Sequence, residues 1–242
     1  MIVNNTNFEI LCETEDFIIV NKPAPLLVHP SVPGNPPTLL DGLKDLLAYD
    51  IANGARLSII NRLDRETSGI VIVAKNKTTA REFGIAMQQR QITKEYLALV
   101  HGTPQEKKIT VEAPILRAGD VGESKIWVKQ IPHPDGKPSI TKFELIKKIG
   151  SFSLLKAIPE TGRMHQIRVH SLHVNLPIVG DKIYGVNESC YLKFIETGWT
   201  KELESELILP RQALHCHRMS LEGVGKWEAP VPNSFKTCRA AS

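Results

Sequence analysis

The run Ile70-Val71-Ile72-Val73-Ala74 is apolar at every position and mostly β-branched. A strand with one wet face alternates polar and apolar side chains. A run apolar at both parities belongs to a strand buried on both faces. The chain must therefore build a sheet covered on each side of this strand. Just before it stand Arg62, Asp64, Arg65 and Glu66, then the short residues Thr67, Ser68 and Gly69. Short residues suit a sharp re-entry into the strand. Asp64 is thus placed between two arginines at the mouth of the core. A carboxylate there is expected to be partly buried, and it needs a cationic or hydrogen-bonding partner to stay ionised. Taken alone, the motif also reads as a solvated turn, with Arg62 and Glu66 as a weak surface ion pair.

Residues 8–21 read as two short strands around a polar turn. Residues 22–37 contain six prolines, which rules out helix or central strand; Leu26, Leu27 and Val28 give this loop apolar anchors. Residues 38–52 read as a helix with Leu39, Leu43, Leu46 and Leu47 on one face. A helix is expected over 78–91. The following strand, TKEYLALVHG, carries Tyr96, Ala98 and Val100 on one face. Several strands fill 109–158, with a turn at Pro134-Asp135-Gly136. Helices are expected over 164–174 and 188–197, a late strand at ALHCHRMSL, and the end of regular structure at APVP, 229–232. Strands and helices mix without a βαβ repeat. The expected class is α+β, with a mixed, mostly antiparallel central sheet flanked by helices and loops, as a single domain over 1–242.

No apolar run approaches a bilayer span, and the first residues lack a basic-then-apolar leader. The expectation is a soluble, cytoplasmic protein. Cys12, Cys190, Cys216 and Cys238 are scattered, with no paired spacing for zinc and no disulfide framework. On a strand, Cys216 faces away from His215 and His217, so that triplet reads as a strand end of mixed faces and not as a metal site. No metal is expected. The net charge of +4 permits a nucleic-acid partner without demanding one. Basic groups gather in two places, 61–77 and 161–173. In the second, a helix would put His165 with Arg168 on one face and Gln166 with His170 on another. A solvated basic side accounts for His173 and His170. It accounts less well for Gly162 and for Pro177-Ile178-Val179-Gly180-Asp181, which bracket the helix with backbone-shaping residues.

These segments resemble the RluA-type pseudouridine synthases. RLDRETSGIVIVAK is similar to the hallmark motif of that family, KPAPLLVHPS to its early loop, and KEYLALVHG to the segment carrying its tyrosine. TGRMHQIRVH with PIVGDKIYG resembles its third motif, and LHCHRMSL with APVP its last strand and tail. The five occur in family order and span about residues 8 to 235. A histidine is usual in the family where Asn61 stands, and a glycine where Pro25 stands. Asn175-Leu176 replaces a pairing that commonly holds glycine. No segment before residue 8 would fit the small RNA-binding domain of many relatives, so the catalytic domain alone is expected.

The resemblance implies isomerisation of uridine to pseudouridine in ribosomal or transfer RNA, by a monomer, with no metal or other cofactor. Breaking the N1–C1′ bond builds positive charge on the ribose, which a carboxylate can stabilise or trap. By resemblance that group is Asp64; attack on C1′ and abstraction of a ribose proton both need it ionised. Arg168 would hold it charged through a bidentate contact. Tyr96 would lie against the base, and Ile167 would form part of the apolar wall. A uridine in folded RNA must be extruded. Arg62 would fill the space it leaves, and Lys75, Lys77, Arg163 and His165 would meet the RNA backbone. Two other classes compete. One is an RNA-binding module of the same fold without catalysis, which the retained Asp64, Tyr96 and Arg168 argue against. The other is a glycosidase, which needs a second acid; Glu66 is the only one close in sequence.

Overall fold

The computed structural model describes residues 7–30, 36–122 and 124–237. In chain order the strands are β1 (Glu9–Glu13), β2 (Phe17–Lys22), β3 (Ser58–Ile59), β4 (Ser68–Ala74), β5 (Ile92–His101), β6 (Lys108–Glu112), β7 (Ile115–Arg117), β8 (Gln130–Pro132), β9 (Ile140–Ile149), β10 (Phe152–Pro159), β11 (Leu214–Leu221) and β12 (Gly225–Glu228). The helices are α1 (Leu39–Leu46), α2 (Ala48–Ala52), α3 (Lys77–Gln88), α4 (Gln166–His173), α5 (Ser189–Thr197), α6 (Lys201–Leu207) and α7 (Asn233–Thr237), with a 3-10 turn at Ala118–Val121. The chain divides into two compact units. The first holds residues 1–94 and 216–230, the second 95–215 and 231–242. Two of the three boundaries fall inside β5 and β11, and the third follows β12.

In the first unit β4 is central, and all seven of its residues are buried, as its β-branched run requires. β2 lies antiparallel along one edge for the full length, from Lys22 opposite Gly69 to Phe17 opposite Ala74. β3 and β11 take the other edge, and β12 pairs with β11. β1 completes the sheet beyond β2. Thr38 starts α1 with a capping box: its hydroxyl accepts from the Asp41 N–H, and the Asp41 carboxylate accepts from the Thr38 N–H. Asn76 caps α3 by accepting from the Thr79 N–H at 2.9 Å. Phe83 of α3 packs edge-on against Phe17 of β2, ring centres 5.3 Å apart.

The expected helix over 38–52 is two helices that meet at Leu47. Leu39, Leu43 and Leu47 are buried as expected, but Leu46 is 49% exposed. Leu46 is the last residue of α1 and Leu47 its C-cap.

In the second unit the strand order is β5-β10-β9-β6, antiparallel throughout, and β7 with β8 forms a separate two-stranded sheet. The turn at 134–136 lies between β8 and β9, as expected. Helix α6, strand β12 and helix α7 were not foreseen. APVP does not end the regular structure; α7 follows it. The fold is α+β with mostly antiparallel sheet. Among the described cysteines, Cys12, Cys190 and Cys216 are free; Cys238 and residues 31–35 of the proline-rich loop lie outside the described residues.

Candidate active site

Asp64 sits in a loop, residues 61–67, that joins the end of β3 to the buried start of β4. Three anchors hold the loop within the first unit. At its start, the Asn61 side chain donates to the Ile70 carbonyl at 3.0 Å and accepts from the Ile72 N–H at 2.9 Å. At its crown, the Arg65 carbonyl accepts from the Leu26 N–H at 2.9 Å and from Lys22 Nζ at 3.3 Å. Lys22 is fully buried and also donates to the carbonyls of Pro23 and Leu26. Past Asp64, its own carbonyl closes a turn by accepting from the Thr67 N–H at 3.1 Å. Gly69 then enters β4 at φ +113°, where a Cβ would overlap the backbone of Cys216; glycine alone fits there. Asp64 is half-buried, as a carboxylate at the mouth of a core should be.

Two of the sequence motifs meet in this unit. Arg62 is exposed, with Nη1 3.5 Å from His29 Nε2 of the early loop. Lys77 is exposed as well. Lys75 is a correction. It is buried and pairs with Glu13 at 2.5 Å and Asp50 at 3.7 Å, so it holds β1 and α2 instead of offering charge to a ligand.

In the second unit α4 is buried along most of its length, Ile167 and Arg168 included. Arg168 makes a bidentate pair with Asp181, Nε to Oδ2 at 2.6 Å and Nη2 to Oδ1 at 2.9 Å. Its guanidinium carbon lies 4.9 Å from the centre of the Tyr184 ring. Asp181 also accepts from the N–H groups of Ile183 and Tyr184, each at 3.0 Å. Burial pushes the Asp181 carboxyl up, but Arg168 and those two N–H groups together hold it below the usual carboxylate range. Gly180, at φ +76°, makes the turn before Asp181 possible, since a Cβ there would overlap the Arg211 carbonyl.

Two expectations for this segment need correction. The helix begins at Gln166, not 164. His165 precedes it in the left-handed region, at φ 57°, so His165 and Arg168 do not share a helical face. His165 Nδ1 instead lies 2.9 Å from the Tyr184 hydroxyl. His170 is not on a solvated side; it is fully buried. Its Nε2 is 2.9 Å from the Ala113 carbonyl and its Nδ1 2.9 Å from Thr141 Oγ1. A carbonyl only accepts, so Nε2 carries the proton and Nδ1 accepts from the threonine. Gln166 donates to the same Thr141 oxygen at 3.0 Å, so Gln166 and His170 do share a face. Burial lowers the His170 pKa.

Tyr96 lies in β5 opposite Ala157 of β10 and is 9% exposed. Arg163 is exposed, and its Nε donates to the Pro138 carbonyl at 3.3 Å. Sequence reading missed Asp181 as the partner of Arg168, and Lys22 as a support of the Asp64 loop. The acid in PIVGDKIYG, directly after a glycine, was the available signal for the first. A lysine ending an apolar strand was the signal for the second. No group of described histidines, cysteines and acids could hold a metal ion, and no helix among the described residues is long and apolar enough to cross a membrane.

The family described as RNA pseudouridylate synthase matches residues 16–173. The ribosomal large subunit pseudouridine synthase D of Buchnera aphidicola is 33% identical over 97% of this chain and 73% of its own length. The protein of that name from Haemophilus ducreyi is 39% identical over 96% of this chain and 69% of its own. Among solved structures, human RNA pseudouridylate synthase domain containing 1 is similar over 95% of this chain and 85% of its own, with a TM-score of 0.72 and 26% identity. The chain belongs to the RNA pseudouridine synthases of the RluA type, which are isomerases.

Proposed function

We propose that this protein isomerises uridine to pseudouridine in ribosomal RNA, with Asp64 as the catalytic carboxylate. The observation that carries the reading is the built loop around Asp64. The loop that carries this half-buried residue is anchored at its start, at its crown and just past Asp64, and it lies within the segment the family match covers. Such anchoring is what a group must have to meet one ribose carbon in one geometry. Relatives named for the large ribosomal subunit favour ribosomal over transfer RNA as the substrate.

In the reaction the N1–C1′ bond breaks, and ionised Asp64 offsets the positive charge left on the ribose. The uracil turns, C5 bonds to C1′, the C5 proton leaves and N1 takes a proton, so the product is an isomer. Tyr96 lies against the base and serves the C5 proton. Arg168, oriented by Asp181, supplies the fixed positive charge that favours an ionised carboxylate in the site. Ile167 lines the base pocket. Arg62 takes the place of the extruded uridine in the RNA, and Arg163, His165 and Lys77 meet phosphates. The enzyme acts as a cytoplasmic monomer on structured RNA.

The test is purified wild type and Asp64→Asn on a transcript of large-subunit ribosomal RNA. Wild type is expected to form pseudouridine at one position. Asp64→Asn is expected to lose at least about 10³-fold in rate while RNA affinity stays within about threefold, the pattern of an interaction made only in the transition state. Free uracil from the wild type would indicate a glycosidase. Tight binding with no product from the wild type would indicate a binding module.

A further inference from the structure

The edge of β4 that faces away from β2 is used piecewise. β3 pairs with it at Val73 and Ala74, and the Ile60 N–H donates to the Ile72 carbonyl at 2.9 Å. At the far end the β11 backbone comes so close at Gly69 that no Cβ would fit. Between them lie the Ile70 carbonyl and the Ile72 N–H, buried and otherwise facing a chain that is leaving the sheet. Asn61 supplies both missing bonds from one side-chain amide, and it is itself 6% exposed. Its amide stands in for a strand rung at the point where the loop departs, three residues before Asp64.

We propose that Asn61 is a positioning residue for the reaction: its amide fixes where the loop leaves β4 and so where the Asp64 carboxylate stands. This rests on the proposed role of Asp64. The donor and acceptor of an amide project side by side. The two nitrogens of an imidazole have similar spacing but diverge, so a histidine here can hold one of the two β4 groups but not both. The asparagine is therefore a complete anchor in its own right, not a worn-down histidine.

The test is single-turnover conversion of the large-subunit ribosomal RNA transcript, with enzyme in excess, for wild type, Asn61→Ala and Asn61→Asp. At saturating enzyme this rate constant counts folded molecules only, so a lower folding yield leaves it unchanged. Asn61→Ala is expected to slow conversion by about 10- to 100-fold, the scale of a small misplacement of a reacting group, with RNA affinity within about twofold. An ionised carboxylate from Asn61→Asp can accept from Ile72 but cannot donate to Ile70. Its rate relative to wild type is therefore expected to rise as pH falls and the donor is restored. Hydrogen exchange gives a readout independent of activity: Asn61→Ala is expected to speed exchange at the Ile72 N–H and across 62–67. A wild-type rate in Asn61→Ala, or unchanged exchange across 62–67, would overturn the proposal. An inactive wild type would instead overturn the proposed function, and exchange alone would then decide the role of Asn61.

Discussion

The loop that carries Asp64 and the helix that carries Arg168 are held by different kinds of bond. The loop is tied down by neutral groups and one lysine, nearly all of them meeting backbone. The helix is held largely by side chains meeting side chains, Arg168 with Asp181, Gln166 with Thr141 and His170 with Thr141, and to a lesser extent by backbone carbonyls at Ala113 and Ile140. Backbone anchors fix a position whatever the pH near neutrality. A buried network of ionisable groups fixes orientation and charge, but only in one protonation state. The first region is thus suited to placing a reacting group, and the second to keeping a charge in a fixed direction.

The largest effect is expected where the network is broken on one side only. Asp181→Ala leaves the Arg168 guanidinium buried without its bidentate partner, which should cost about 3–5 kcal/mol. Chemical denaturation followed by exchange in α4 measures it. A loss below about 1 kcal/mol would mean that the pair does not hold the helix, and the contrast would fail.

Next comes the histidine. The pKa of His170 in the fold is lowered by burial from its ordinary 6.5, so the unfolded chain binds the proton more readily than the native one. The stabilisation is complete above about pH 6.5 and is lost progressively as pH falls from there through the lowered pKa of the folded state. Burial lowers the His101 pKa too, with the same sign. The denaturation midpoint of the second unit should drop between pH 8 and pH 5, with the 61–67 loop opening no earlier than α4. His170→Phe should flatten that drop and cost about 1–3 kcal/mol at pH 8, because the Thr141 hydroxyl and Ala113 carbonyl lose their partner. Earlier opening of the loop would reverse the comparison.

The smallest effect belongs to the first unit. Thr38→Ala removes half of the capping box of α1 and should cost about 1 kcal/mol, with no change in the slope between pH 8 and pH 5, because the Asp41 carboxyl that the Thr38 hydroxyl holds below its usual range titrates below that window. Thermal melts at two pH values would show it.

How much of this was legible before the structure depended on whether burial followed from side-chain type. The Ile70–Ala74 run could only be a buried strand, and Leu39, Leu43, Leu47 and the Pro-Asp-Gly turn spoke as plainly, whereas Leu46 did not. The resemblance motifs located the family, and they are the source of the proposed roles of Asp64, Tyr96 and Arg168. The errors came from polar groups whose partners are distant in sequence. Lys75 looked available until Glu13 and Asp50 enclosed it. His170 looked solvated until Thr141 and Ala113 closed on it. His165 looked helical, but it takes a left-handed backbone just ahead of the helix, which histidine adopts more readily than most residues and which no turn residue beside it signals. Asn61 stood out only as a departure from the family's usual histidine, because nothing local says that its amide would meet the Ile70 carbonyl and the Ile72 N–H of β4.

The most direct measurement maps pseudouridine at single-nucleotide resolution in ribosomal RNA from cells with and without this gene, complemented by wild type or by Asp64→Asn. The account predicts that one site disappears without the gene, returns with wild type and stays absent with Asp64→Asn. Return of the site with Asp64→Asn would contradict the assignment of Asp64 as the catalytic carboxylate.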